Sequence, residues 1–158
     1  MFPEEPARLL SAGVMEDDHA ALSRILGGVN WQVAPAFTPK DARAELLAHK
    51  TPIVICSAPL RDSHWKSWVA ETCRLPDGPK LIVSSRPAYE GMWAEALDLG
   101  CYDVLSWPYA DSEVLRVVSL AWRSWKLDYG RPVTRPKPPR SASRVSGSSD
   151  ANRAGGVR

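Results

Sequence analysis

The sequence predicts a doubly wound α/β domain built on a parallel sheet, and three observations carry that prediction. Within TPIVICSAPL, the residues Ile53, Val54, Ile55 and Cys56 run without polar alternation, which marks a strand covered on both faces. Short strand patterns and amphipathic helical patterns then take turns along residues 1–129. Glycines, prolines and capping residues stand where each helix has to begin or stop.

The elements follow in order. Ala7 to Ala12 (ARLLSA) reads as the first strand and GVMEDD as a loop. Asp17 to Leu26 is a helix with Ala21, Leu22, Ile25 and Leu26 on one face, stopped by Gly27 and Gly28. Trp31 to Ala34 is the second strand. Thr38 caps the next helix with Pro39 at its first position, and that helix runs through Ala42, Leu46 and Leu47. Pro52 to Cys56 is the central strand. A helix opening at Asp62 or Ser63 carries Trp65, Trp68, Val69 and Cys73, and LPDGP turns the chain into the fourth strand, Lys80 to Val83. Ala88 to Leu99 is the fourth helix, ended by Gly100; Tyr102 to Leu105 is the fifth strand. Asp111 caps a last helix reaching about Lys126. This is a (βα)5 string, and right-handed crossovers favour the flavodoxin-like strand order 2-1-3-4-5.

Composition fits one domain with a tail. The chain has 158 residues, 44% of them hydrophobic, enough for one core of ordinary size. The net charge of +2 conceals an asymmetry, because residues 130–158 carry seven basic residues against Asp150 alone. That tail, GRPVTRPKPPRSASRVSGSSDANRAGGVR, has too few large apolar residues to offset the entropy of ordering, so disorder is expected there, with an extended PKPP stretch. Residues 1–129 form the expected domain. No apolar run approaches the roughly 20 residues of a membrane span, and FPEEPAR has no signal-peptide pattern, so a cytoplasmic location and no membrane partner are expected. Cys56, Cys73 and Cys101 lie in predicted strand, helix and loop without CxxC spacing, and read as buried or inert thiols.

Parallel sheets place their ligands at the carboxyl ends of the strands, so Ser57, just past the central strand, stands where chemistry would occur. Ser57, Asp62 and His64 are triad residue types, but Asp62 to His64 open a helix, where capping explains them, and no GxSxG elbow is present. His19, His49 and His64 fall on separate helices without ligand spacing, and no phosphate-binding loop for a flavin follows the first strand. No catalytic residue, metal ligand or cofactor is therefore expected.

With five βα units, EDDHAALSRIL after strand one, PIVICS at strand three, PKLIVSSR at strand four and GCYDVLSWPY at strand five, residues Ala7 to Trp125 resemble the receiver domain of two-component response regulators. The strand-five piece is the most specific, since receivers read G-A-x-D-Y-L-x-K-P-F there. The resemblance implies a phosphoacceptor aspartate at Ser57, an acidic pair at Gly13 and Val14, a hydroxyl at Ser84, a lysine at Trp107 and an aromatic switch at Val104. Only the Ser84 hydroxyl is kept, which implies a degenerate, phosphorylation-incompetent pocket without Mg²⁺, because that cation needs carboxylate oxygens. Glu16, Asp17 and Asp18 could be brought nearer by a loop shift, but acids in a first helical turn already complement the helix dipole. The family also implies a cis peptide before Pro108, and the indole of Trp107 is expected over the pocket by Ser57 and Ser84.

Seven tryptophans remain to be accounted for. On the last helix Val114, Val117, Val118, Ala121 and Trp125 make a core face, leaving Leu115 and Trp122 turned partly outward. With Trp93, Arg116 and Arg123 they would form an interaction face on the surface that receivers use for dimers and outputs, although large aromatics also simply cover small cores. The sequence thus reads as a stand-alone, receiver-like, non-enzymatic protein of two-component or phosphorelay signalling that binds a kinase, a regulator or a second copy of itself. The alternative is an adaptor whose basic tail contacts nucleic acid phosphates.

Overall fold

A computed structural model describes residues 2–85 and 91–129, with only the backbone at positions 85, 92, 93 and 129. The elements are β1 (Ala7–Ala12), α1 (Glu16–Gly27), β2 (Trp31–Ala36), α2 (Pro39–Ala48), β3 (Ile53–Cys56), α3 (Ser63–Cys73), β4 (Lys80–Ser85), α4 (Met92–Asp98), β5 (Asp103–Ser106) and α5 (Asp111–Tyr129). The five strands form one parallel sheet in the order β2-β1-β3-β4-β5. The basic tail at 130–158 and the stretch where the fourth helix was expected to open, at Ala88, lie outside the described residues.

Successive side chains on a strand point to opposite faces, and here each face feeds its own core. Leu9, Ile53, Ile55, Ile82 and Leu105 meet Leu22, Ile25 and Leu26 of α1 and Val114, Val117, Val118 and Ala121 of α5. Leu10, Val54, Cys56, Leu81 and Val83 meet Ala42 of α2, Trp65, Trp68 and Val69 of α3, and Ala96 of α4. All four residues of β3 are fully buried, as a strand with helices on both sides requires.

Local chemistry explains most boundaries. Thr38 Oγ1 accepts from Asp41 N–H at 3.0 Å with Pro39 at the first helical position, and Asp62 accepts from the amides of His64 and Trp65. The end of α4 is a Schellman motif: Gly100 takes φ +102, its amide donates to Leu97, and the Cys101 amide donates to Ala96. Two expectations need correction. β2 continues through Pro35 to Ala36, which an edge strand tolerates because its outer side needs no amide donor. Asp111 is not a cap but the first residue of α5, and its carboxylate pairs with Arg24 at 3.1 Å. Within α2, Ala42 is the buried residue, while Leu47 is 84% exposed.

Trp68 is 1% exposed and packs edge-on against Trp65, with ring centroids 5.7 Å apart. Trp68→Ala should lower stability in urea denaturation by about 3–5 kcal/mol, the usual range for removing a buried aromatic. Leu47→Ala should change it by less than about 0.5 kcal/mol. A similar loss for both would show that α2 packs differently.

Candidate functional site

Parallel pairing lines up the strand ends. Ala12 is opposite Cys56 and Cys56 is opposite Val83, so the next residue along each strand sets Gly13, Ser57 and Ser84 side by side at the carboxyl edge of the sheet. Trp107 follows the end of the neighbouring β5, and its bond to Pro108 is cis. Gly13, Ser57 and Ser84 are thus one neighbourhood. Ser57 is 8% exposed and Ser84 3%, so both hydroxyls are covered. Val14, beside Gly13, is 49% exposed.

Gly13 and Ser57 compete for the same space. A Cβ at position 13 would stand 2.1 Å from Ser57 Oγ and 3.3 Å from Ser57 Cβ. The backbone leaves little freedom to separate them, because the Ser57 amide donates to Ala12 at 2.8 Å and the Gly13 amide donates to Ala36 at 2.9 Å. Ser57 Oγ itself has no hydrogen-bond partner among the described residues.

His19, on α1, supports the loop from beneath. A carbonyl can only accept, so His19 Nε2–H donates to Gly13 O at 3.0 Å, and in the singly protonated ring Nδ1 accepts from Ser11 Oγ at 2.7 Å. The ring is buried and meets Phe37 edge-on at 4.4 Å. Sequence reading missed this role, since His19 reveals itself only once β1 and α1 are folded together.

Among the described residues, the acids near this edge do not gather into one cluster. Glu16 and Asp17 are exposed in the first turn of α1, where they complement the helix dipole, while Asp18 is fully buried. Among the described residues no three His, Cys, Asp or Glu side chains gather as metal ligands do. Position 107 carries a half-buried indole, which packs edge-on against Tyr109 at 4.9 Å.

The expected interaction face divides. Trp93 lies on α4 with its side chain outside the described residues. Arg116 and Arg123 are exposed, Arg116 pairing with Glu113 at 2.7 Å. Leu115 is half-buried against the α1/α5 core. Trp122 sits toward the β2 side of the sheet, not the β5 side: its ring meets Trp31 at 5.3 Å and stacks on Trp125 at 5.6 Å. The reason is helical phase, because α5 turns Trp122 toward α1 and the strand that α1 covers. Trp122 and Trp125 border a cavity of about 620 Å³ at the opposite edge of the sheet, walled by Pro3 to Arg8, His49, Lys50 and Pro52.

A further proximity was invisible to residue spacing. Cys73, the last residue of α3, and Cys101, just before β5, have their sulfurs 3.9 Å apart.

Gly13→Ala should destabilise the domain by about 1 kcal/mol or more, since the new methyl forces Ser57 to move. In a Ser57→Gly background the same change should cost much less, giving a coupling in a double-mutant cycle. Equal losses in both backgrounds would show that the two positions do not share space.

No protein-family model matches the sequence, and none of the curated proteins matches it. Solved structures do. The signal receiver domain of an HD domain-containing protein from Pseudomonas fluorescens Pf-5 superposes with TM-score 0.72 at 19% identity, over 84% of this chain and 98% of that one. The receiver domain of the Francisella response regulator 1452 gives 0.63 at 17% identity, over 75% and 98%. NtrX from Brucella abortus, crystallised with ADP, gives 0.70 at 15% identity over 90% of this chain, which spans 34% of NtrX. The chain has the fold of the receiver domains of response regulators.

Proposed function

We propose that the protein is a receiver-fold signalling domain that is not phosphorylated in this pocket and acts by binding another protein, whether a signalling kinase, a regulator or a second copy of itself. The observation that carries this reading is the shared volume of Gly13 and Ser57. Phosphoryl transfer to a strand-three carboxylate needs an adjacent acid to hold Mg²⁺ and a cation to neutralise the transferred group. Here Gly13 and Val14 offer no carboxylate, Ser57 offers an alcohol, and Trp107 offers no charge. An alcohol becomes a nucleophile only with a dedicated base.

Protein binding is the function left to such a surface. Arg116 and Arg123 stand exposed on α5 with Leu120, 43% exposed, between them, and arginine beside apolar surface is the usual make-up of an interface centre.

Incubation with a small phosphodonor and Mg²⁺ is expected to yield no acid-labile phosphoryl adduct and no metal-dependent change in tryptophan fluorescence. A stoichiometric adduct would overturn the reading. Ser57→Asp should leave that result unchanged and lower stability by about 1–3 kcal/mol at neutral pH, because the covered site has no partner for the new charge. For the binding half, a partner recovered with the full-length chain from its native cells should be retained by Ser57→Ala and released by Arg116→Glu combined with Arg123→Glu. The opposite pattern would place the contact at the serine edge.

A further inference from the structure

Two helix-ending devices bring Cys73 and Cys101 together. Cys73 closes α3, whose chain then turns at Arg74 with amides donating back to Glu71 and Thr72. Cys101 is the residue after the left-handed Gly100 of the Schellman turn, where its amide is tied to Ala96. The two turns touch: a Cβ at Gly100 would lie 3.4 Å from Cys73 Cβ. Both backbones are therefore held before any sulfur chemistry occurs, and the sulfurs already stand 3.9 Å apart. A disulfide requires about 2.05 Å, an approach that side-chain rotation can supply.

The three cysteines differ in what surrounds them. Cys56 is fully buried, and desolvation pushes its thiol up to about 12, so it stays protonated. Cys73 is half-buried on the wall of a cavity of about 240 Å³ that it shares with Leu75, Gly78, Gly100 and Tyr102. The hydrogen bond from Cys101 holds the Cys73 thiol below its ordinary range, with the charge of Arg74 adding to the effect, while that same bond and burial push Cys101 up. Position distinguishes the attacking sulfur from the resolving one: Cys73 faces the cavity where an oxidant can reach it, and Cys101, 7% exposed, lies behind it.

We propose that Cys73 and Cys101 are an oxidisable dithiol, closed by a peroxide into an intramolecular disulfide that pins the end of α3 to the entry of β5. In the first step the Cys73 thiolate attacks the peroxide, the O–O bond breaks, and a sulfenic acid forms with release of hydroxide. Cys101 sulfur then attacks that sulfenic sulfur, the S–O bond breaks and water leaves; with hydrogen peroxide, two thiols and one peroxide become one disulfide and two waters. The inference stands apart from the functional reading above and survives its failure.

The test is hydrogen peroxide treatment of the full-length protein, followed by peptide mapping and titration of thiols under denaturing conditions. The chain should lose two hydrogens, its three free thiols should fall to one, and a Cys73–Cys101 cross-link should form and disappear with dithiothreitol. Cys56→Ala should keep the cross-link, and Cys73→Ala or Cys101→Ala should lose it. If an alanine variant fails to fold, the cross-link map of the native chain decides alone. Closing a loop whose ends are 28 residues apart should raise the melting midpoint by on the order of 5–10 °C. Three thiols still titratable, an overoxidised Cys73 without a cross-link, a disulfide only between two chains, or a cross-linked protein with an unchanged midpoint would each overturn the proposal.

Discussion

Burial of the central strand on both faces is the constraint on which the rest of this molecule depends. Ile53, Val54, Ile55 and Cys56 are fully enclosed, and because alternate side chains point opposite ways, one strand anchors two cores. Helices α1 and α5 must cover one face and α2, α3 and α4 the other. Parallel strands follow from the same need, since each helix returns the chain to the starting edge of the sheet. The strand ends then fall together along one carboxyl edge.

That edge is where the two kinds of information meet. In-register pairing gathers Gly13, Ser57 and Ser84, and hydrogen bonds from Ser57 to Ala12 and from Gly13 to Ala36 keep the first two close. Their contact is tight enough that a side chain on one excludes the native side chain of the other. The absence of a side chain at position 13 and the hydroxyl at 57 are therefore one structural fact rather than two. His19 reinforces it by tying Ser11 in β1 to the carbonyl of Gly13. The result is a small, covered edge lined by the hydroxyls of Ser57 and Ser84.

Away from that edge, the aromatic residues are divided among separate tasks. Trp65 and Trp68 fill the core under α3, whereas Trp31, Trp122 and Trp125 close the far end of the sheet beneath α5. Lys50 and Lys126 extend over the outer two of those rings at 5.4 and 5.2 Å, so part of their faces is covered by cations of the chain itself. Five tryptophans thus pack on one another's rings, half-buried Trp122 among them.

The sequence by itself determined the fold class, the order of the elements and most of their ends. Those features depend on local chemistry: the unbroken apolar run of β3, the Thr38-Pro39 and Asp62 caps, and Gly100 at the close of α4. The residues that follow the strand ends, Gly13, Ser57 and Ser84, were equally legible, because spacing from strand ends is a property of the chain. Contacts between distant residues were decided only by the tertiary structure. The 2.1 Å conflict between Gly13 and Ser57 requires the register of β1 on β3, and the turn of Trp122 toward Trp31 requires the phase of α5 over the sheet. Asp111 resembles a cap until Arg24 of α1 is beside it. Cys73 and Cys101 have no motif spacing, and their sulfurs meet only because the ends of α3 and α4 pack together on one face. Local preferences act over a few residues and are written in sequence, whereas these encounters exist only after the sheet has closed the distance between them.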